Sequence, residues 1–572
     1  MRDTLLKLSP FKKLSPEQRF FRPEINQAAL PIYIFTREPK HLDTSKWAKC
    51  DNFAIWRDNG TLICVSDEAT VEYRHRRVCL RLIDKYDLFV AIYGKTDVAI
   101  AETLTFLGSL KDARKFDMTL IIGSHVSSQN DYRFDFTALQ PQQLAQILDA
   151  NPSRYFVFYA GTWNAEQSVI LTTRSHPLNL ALNDLITMWT DSNGVRTLIP
   201  GATAGDFAFI DRGTAFVDVL GERQSTFRSL SIDRNLQGML FSPENLQRLC
   251  ELAVLEKLRM DRQNRDCVLF PLTMKTNTLD YEIAAKHIQP EDFDTLDIAA
   301  TNLEVKIDIG TEDDHYAMLL ISFFNCVAEL GHLEGLKLSF DRYGEVLHMG
   351  GTSRITEALI GAIKGNVYLK ELDLSVTDYL FDEVRQRKNI FETLKYHKCL
   401  CKLVWSFKHF DADNDDDDGD DDEDDDDDSD VSCPFDYSLL EQLLSHNRDL
   451  TVINQYGEKI SNGDTIDRLY ALNDFYNGSA RLGQECTPSR SSLVATTLQK
   501  SASISFQYTA LLLADHADAL VGFIHNMNLD DDGAAALMMD AAVSTVGVLK
   551  VFLCTTPIGV FHFCLRHCNL IG

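Results

Sequence analysis

Apolar residues recur along this chain in sets of three, with a step of three positions and then a step of two. Self-similarity at intervals of roughly 30 to 40 residues predicts a solenoid, in which each unit buries its apolar face against its neighbours. The sets are Phe227–Leu230–Ile232, Leu255–Leu258–Met260, Phe293–Leu296–Ile298, Leu333–Leu336–Leu338, Leu369–Leu372–Leu374 and Leu400–Leu403–Trp405.

The last two apolar residues of each set lie two positions apart, which predicts a strand with one buried face. A stretch with helical spacing comes before most sets, and Ser242 with Pro243 is a suitable helix start. Each unit is therefore predicted to be a helix followed by a short strand. Stacked units would form a parallel sheet on the concave side and a wall of helices outside. The predicted helical faces are Leu246–Leu249, Met318–Ile321–Ala328 and Ile355–Leu359–Ile363.

One stretch, residues 362–375, carries a resemblance to a known family. Asn366 precedes Leu369 by three residues, and the sequence Leu-Asp-Leu-Ser follows at 372–375. Asn447 and Leu450 repeat the first step. This pattern resembles the ribonuclease-inhibitor type of leucine-rich repeat, over about residues 136–457 and most specifically over 331–405. The wider chain resembles a lineage-expanded group of such proteins whose biochemical role is not established. The resemblance implies an α/β leucine-rich-repeat solenoid.

The regions outside the repeats are predicted to differ in character. Residues 1–21 read as a disordered basic lead, and residues 22–135 as a mixed α/β N-terminal module. The solenoid itself is predicted over 136–460, followed by a helical C-terminal cap over 461–526 and an apolar tail of uncertain order over 527–572. The module could cap the apolar end of the solenoid or act as a separate recognition domain.

The N-terminal module shows local signals for its own elements. The sequence Asp58-Asn59-Gly60 lies between two apolar alternations and predicts a β-hairpin. Further strands are predicted at 32–35, 88–92 and 118–122, and a helix at 103–113.

Residues 411–430 contain 16 carboxylates and no basic residue, whereas the formal charge of the whole chain is -28. This run separates two repeat signals, Leu400 and Leu450, and is predicted to be a disordered insertion in a surface loop. It could be a solvated spacer or a handle for a basic partner. It argues against nucleic-acid binding, because phosphates would be repelled. Its representative acidic residues are Asp411, Asp415, Asp416, Asp417, Asp418, Asp420, Asp424 and Asp428.

No motif for catalysis or for a cofactor is found in the sequence. A phosphate-binding loop, a nucleophile elbow, an HExxH motif and a dinucleotide fingerprint are all missing. An EF-hand frame around Gly419 lacks its Glu, and the His562–Cys568 cluster lacks a second ligand pair, so no metal site is predicted. The chain is therefore predicted not to be an enzyme and to need no cofactor.

Cysteine usage and hydropathy bear on the compartment. The 13 cysteines include no CxxC pair, and the stretch from Met1 to Arg19 lacks the apolar core of a secretory signal, so a cytoplasmic or nuclear location is expected. Residues 541–565 are mostly apolar, but Lys550 and Pro557 interrupt them, which makes a membrane anchor the weaker interpretation.

The favoured function is a non-catalytic scaffold that binds a protein partner on the concave face, and the identity of that partner, which could be basic, stays open. Two alternatives are a histone-type chaperone that uses the acidic run, and a small-GTPase regulator resembling the activating protein for the Ran GTPase. In that family the acidic region is terminal, whereas here it is internal. The predicted contact residues point away from the buried leucines, and they are Lys257, Arg259, Lys337, Ser339, Glu371, Asp373 and Lys402.

Overall fold

The computed structural model divides the chain into two compact units. Unit 1 comprises residues 1–386 and 404–406, and unit 2 comprises residues 387–403 and 407–572. The structure describes residues 5–10, 13, 15–16, 24–25, 28–47, 52–66, 77–83, 87–112, 118–123, 134–159, 161–173, 179–183, 207–233, 240–309, 316–342, 352–377, 380–381, 384–406, 437–484, 490, 494, 516 and 518–519.

Helices and strands alternate through most of these residues. The helices are α1 (Thr44–Trp47), α2 (Asp97–Gly108), α3 (Pro141–Ala150), α4 (Ala165–Thr172), α5 (Thr214–Glu222), α6 (Pro243–Glu251), α7 (Tyr316–Leu330), α8 (Thr352–Gly365), α9 (Val384–Leu394), α10 (Tyr437–His446) and α11 (Thr465–Gln484). The strands up to residue 123 are β1 (Leu6–Leu8), β2 (Glu24–Ile25), β3 (Ala28–Ala29), β4 (Ile32–Phe35), β5 (His41–Leu42), β6 (Phe53–Trp56), β7 (Leu62–Ser66), β8 (Arg77–Ile83), β9 (Asp87–Tyr93), β10 (Lys111–Asp112) and β11 (Thr119–Gly123). The later strands are β12 (Tyr155–Tyr159), β13 (Gly161–Trp163), β14 (Asn179–Asn183), β15 (Phe207–Phe209), β16 (Phe227–Asp233), β17 (Leu255–Met260), β18 (Thr278–Ala284), β19 (Asn302–Ile309), β20 (Gly335–Arg342), β21 (Glu371–Val376), β22 (Lys402–Val404) and β23 (Thr451–Ile453).

The N-terminal part of unit 1 is a mostly antiparallel sheet. The predicted hairpin is confirmed, because β6 pairs with β7 in antiparallel register around Gly60, whose φ is 79°. Strand β9 pairs with both β7 and β8, and β8 pairs with β11. The expected disordered lead is wrong at one place: β1 lies within it and pairs antiparallel with β4, where Leu6 is buried.

From β11 onward the sheet is parallel and follows the order of the chain. The parallel pairs are β11–β12, β12–β14, β14–β16, β16–β17, β17–β18, β18–β19, β19–β20 and β20–β21. The sheet thus continues without a break across the expected limit of the N-terminal module at residue 135. The register places one buried leucine of each strand beside the next, in what we call the apolar column: Leu230, Leu258, Leu279, Leu303, Leu336 and Leu372.

Two strands of this run, β18 and β19, were absent from the predicted repeat pattern. The predicted set Phe293–Leu296–Ile298 is wrong as a strand, since Phe293 ends a 3-10 helix and the other two residues precede β19. The column leucines of β17, β18 and β19 are Leu258, Leu279 and Leu303, and they follow one another at short intervals in the chain. Such intervals leave little room for a full α-helix, and 3-10 turns at 265–267, 271–273, 285–287 and 290–293 make these connections instead.

Helices that follow one another in the chain also pack together in space. The packed pairs are α2–α3, α3–α4, α4–α5, α5–α6 and α7–α8 in unit 1 and α10–α11 in unit 2. Helix α6 begins as predicted, because the Ser242 side chain accepts a hydrogen bond from Asn245 N and Pro243 follows. The predicted face of α7 is wrong: Met318 is 51% exposed, and the buried residues are Leu319, Leu320, Phe323, Phe324, Cys326 and Val327.

Unit 2 includes α10, β23 and α11. Leu440 and Leu443 of α10 and Ile466 of α11 are fully buried, and Tyr470 Oη of α11 donates to Val452 O of β23 over 3.0 Å. Helix α11 lies where the helical cap was predicted. The acidic run 411–430 and the tail 527–572 lie outside the described residues. Among the helices that the structure describes, none is both long enough and apolar enough to cross a membrane.

Candidate functional site

The parallel strands β16–β21 present polar side chains on the face opposite the apolar column. Residues of a strand alternate between the two faces, so each polar residue that neighbours a column leucine lies here. We call this surface the polar face. Its central row, read across the strands, is Ser231, Arg259, Asp280, Glu304, Lys337 and Asp373. Its second row is Glu282, Lys306 and Ser339.

The structure brings most of the predicted contact residues onto this face. Lys257 and Arg259 are exposed on β17, and Lys337 and Ser339 are half-buried on β20. Glu371 is exposed on β21. These positions follow from strand alternation, which the sequence shows directly.

Two predicted contact residues differ from the others. Asp373 is only 9% exposed, and its Oδ1 accepts hydrogen bonds from Ser375 N at 3.0 Å and Ser375 Oγ at 2.7 Å. Its carboxylate is therefore satisfied within its own strand and is a poor contact residue. Lys402 belongs to unit 2.

The most strongly interacting charges near the polar face include three on β18 and β19, the strands that the leucine pattern does not predict, and Arg262, which follows β17. Arg262 bonds to Glu282, and its Nη1 lies 2.5 Å from Asp308 Oδ2. Lys306 Nζ lies 3.4 Å from the other oxygen of Glu282. These four side chains form a network with two positive and two negative charges, so this part of the face is electrically balanced. The alternation Asn-Leu-Glu-Val-Lys-Ile-Asp-Ile of β19 is the sequence signal that places Lys306 and Asp308 on this face.

The central row is less well balanced. Asp280 and Glu304 are register partners on neighbouring strands and carry the same charge. Burial, with the adjacent Glu304 carboxylate, raises the pKa of Asp280 to about 6, even though Arg259, Lys257 and Lys337 act in the opposite direction. Burial would lower the pKa of Lys337, but its 2.5 Å contact with Glu304 outweighs this, and the pKa is raised. The Lys337 ammonium group is therefore already engaged in an ion pair with Glu304.

Replacing Asp280 by asparagine is expected to stabilise unit 1 above pH 6. The folded-state pKa lies above the ordinary value, so the free energy of unfolding falls as pH rises from about 4 to about 6 and stays low above that. The Asp280→Asn variant does not ionise, and its advantage should reach about 3 kcal/mol at pH 8 and shrink toward pH 4.5. Urea unfolding across this pH range measures it. Glu357→Gln, on an exposed part of α8, is the control and should leave the pH dependence unchanged.

A second polar cluster, in unit 2, joins a serine to a histidine. Ser479 Oγ and His516 Nε2 are 2.8 Å apart and buried, and Arg490 Nη2 lies 3.1 Å from His516 Nδ1. A guanidinium can only donate, so Nδ1 accepts and Nε2 carries the hydrogen that it donates to Ser479. To act as a general base toward Ser479, Nε2 would have to be unprotonated and accept the hydrogen of the serine hydroxyl. The cluster, completed by the Arg490–Asp518 ion pair, therefore ties its segments together and does not activate Ser479.

Thiol nucleophiles and metal ligands were also sought in the described residues. Burial raises the pKa of Cys250 to about 12 and that of Cys326 to about 11, so both thiols stay protonated near neutral pH. Within the ranges that the structure describes, no three His, Cys, Asp or Glu side chains are grouped to hold a metal ion. On the described part of unit 1, the polar face is therefore the candidate functional site.

No protein-family model matches the chain, and no curated protein matches it either.

Proposed function

We propose that the chain is a leucine-rich-repeat solenoid of the ribonuclease-inhibitor type and a non-catalytic scaffold that binds a protein partner on the polar face. The observation that carries this proposal is a parallel sheet with charged side chains on one face. Parallel sheets are usually covered on both faces and apolar on both. Here one face carries the buried apolar column, whereas Arg259, Lys337 and Glu304 on the other are 54%, 44% and 33% exposed.

The repeat assignment is supported by the order of the strands. Each strand from β16 to β21 pairs with the strand that follows it in the chain, and the leucines of the apolar column stay in register. In a solenoid each unit contacts mainly its neighbours, and this nearest-neighbour order is what such a stack requires.

Two buried asparagines support the resemblance to ribonuclease-inhibitor-type repeats. Asn366 Nδ2 donates to Val327 O at 2.7 Å and Ala362 O at 2.9 Å, and its Oδ1 accepts from Leu333 N. In unit 2, Asn447 Nδ2 donates to His397 O at 3.0 Å. Both side chains satisfy buried backbone groups between consecutive helix–strand segments, and such groups must find partners. These are the two asparagines on which the resemblance partly depends.

Affinity purification from the native cells tests the binding role. The double variant Lys257→Glu/Arg259→Glu reverses two exposed charges of the polar face and is expected to lose the partner, because charge complementarity fails. The matched control, Arg354→Glu/Lys364→Glu, makes the same change of charge on exposed positions of α8 and should retain the partner. Circular dichroism on both variants checks that the fold is kept.

Deleting residues 411–430 provides the contrasting arm. If the polar face binds the partner, this deletion leaves the complex intact. A complex that survives the Lys257→Glu/Arg259→Glu change and disappears with the acidic run would contradict the proposal. Such a result would favour the alternative in which the acidic run binds basic proteins.

A further inference from the structure

Asn-Gly pairs in the described part of the chain have very different surroundings. An Asn-Gly pair can react with itself, because the glycine nitrogen, which no side chain shields, can attack the asparagine Cγ. The hydrogen bonds around each pair decide whether this attack is helped or hindered. The pairs are Asn59-Gly60 in the β6–β7 hairpin, Asn462-Gly463 just before α11, and Asn477-Gly478 inside α11.

The carboxamide of Asn462 folds back toward the residues that follow it. Its Oδ1 accepts hydrogen bonds from Asp464 N and Ile466 N, both at 3.1 Å, and its Nδ2 donates to Thr465 Oγ1 at 2.8 Å. When Gly463 N adds to Cγ, negative charge develops on Oδ1. Two backbone N–H groups already point at this oxygen, as the donors of an oxyanion hole do, so they stabilise that charge.

The nitrogen of Gly463 has a path along which its proton can leave. Gly463 N donates to Ser461 Oγ at 3.0 Å, and Ser461 Oγ in turn donates to the Asp467 carboxylate. A backbone amide becomes a good nucleophile only as it loses its proton, and a hydroxyl can accept that proton while it passes its own to a carboxylate. Asn462 and Gly463 are both exposed, so water has access to the pair.

The other two pairs lack this arrangement. Asn59 Nδ2 donates to Ala99 O at 3.2 Å and to Thr103 Oγ1 at 3.0 Å, which ties its carboxamide to α2. Gly60 N donates to Arg57 O, and a carbonyl group has no proton to pass onward. The pair at 477–478 lies within α11, where backbone N–H groups are bonded along the helix.

We propose that Asn462 is a site of spontaneous deamidation, a modification that the surrounding structure promotes. Gly463 N bonds to Asn462 Cγ, the bond from Cγ to Nδ2 breaks, and ammonia leaves with the proton that Gly463 N has lost. Water then opens the cyclic imide at either carbonyl, which gives aspartate or isoaspartate. Both products place a carboxylate where Asn462 was neutral, and isoaspartate also lengthens the backbone just before α11.

Peptide mapping by mass spectrometry of the full chain, incubated at neutral pH, compares the three pairs. In the native chain Asn462 is expected to deamidate at least about tenfold faster than Asn59 or Asn477, because positioning and proton transfer act on Asn462 alone. In guanidinium chloride the pairs share one dipeptide sequence and should react at similar rates. A native Asn462 that reacts more slowly than the unfolded one would overturn the proposal.

Substitutions at Ser461 and Asp467 test the proton path. Ser461→Ala and Asp467→Asn should each slow deamidation of Asn462 about tenfold or more, and the double variant should be no slower than either, because both residues act in one path. Ser461→Thr keeps the hydroxyl and should keep the rate of the parent. The matched control Asp474→Asn removes an exposed carboxylate farther along α11 and should leave the rate unchanged. Equal rates in the parent, Ser461→Ala and Asp467→Asn would contradict the proposed path.

Discussion

The Leu303→Asp variant of this chain is expected to fail to fold in unit 1. Leu303 is 1% exposed and sits in the apolar column between Leu279 and Leu336. The substitution removes a buried side chain worth about 2 kcal/mol and leaves a carboxylate without a partner in an apolar layer, so we expect a loss above about 4 kcal/mol. Soluble yield and the far-ultraviolet circular dichroism melt measure the effect.

Two matched variants separate packing from charge. Leu303→Met keeps the volume and apolar character and should cost less than about 1.5 kcal/mol. Ser339→Asp adds the same charge to the polar face of the neighbouring strand, where water can reach it, and should leave the melt close to that of the parent. A Leu303→Asp protein that melts like the parent would show that the leucines of the column do not form a packed layer.

The leucine pattern predicted some strands and missed others for a physical reason. Strands β16, β17, β20 and β21 were found because their apolar residues recur at intervals that allow a helix between strands. Strands β18 and β19 alternate just as clearly, with Leu279, Tyr281 and Ile283 followed by Leu303, Val305 and Ile307. They were missed because the interval assumed between repeats was too long for their spacing. Strand alternation is a local property, whereas the length of the connection depends on whether an α-helix or 3-10 turns return the chain.

The candidate site, like the strands, could be predicted from the sequence only in part. Lys257, Arg259 and Lys337 could be predicted to lie on the polar face, because each neighbours a leucine of the apolar column. The perturbed titration of Asp280 could not be predicted, since it depends on Glu304, which is distant in the chain but only one strand away in the sheet. Similarly, the sequence of α7 is apolar almost throughout, so spacing alone could not decide which of its faces is buried.

Arg154 holds a buried polar cluster that no sequence pattern indicated. Its side chain is fully buried, and its Nη1 donates to Gly108 O at 2.7 Å and its Nη2 to Leu110 O at 3.0 Å. The guanidinium also forms an ion pair with Asp112. These partners lie at the end of α2 and just after it, so Arg154 fixes the end of that helix to the start of β12. A lone arginine in a turn carries no signal for such contacts with a distant part of the chain.

Arg154→Met is the second substitution for which we expect a large effect, a loss of about 3–5 kcal/mol in the free energy of unfolding. The methionine fills much of the space but removes the donor of the Asp112 carboxylate and of the Gly108 carbonyl, whereas the Leu110 carbonyl keeps the hydrogen bond from Asn151 Nδ2. Arg154→Lys keeps the charge yet cannot reproduce the planar set of donors, so it should lie between the parent and Arg154→Met. Urea unfolding of the three proteins gives the order.

The double variant Arg154→Met/Asp112→Asn identifies the cause of that loss. If the cost of Arg154→Met comes mainly from the uncompensated carboxylate, removing the charge of Asp112 should restore part of the stability, and the two substitutions will not be additive. The side chain of Asp112 is 11% exposed, so little water is available to replace the guanidinium. Additive losses would instead mean that Arg154 acts through its hydrogen bonds to Gly108 and Leu110 alone. In that case the arginine serves as a backbone cap for α2, and the ion pair contributes little to the fold.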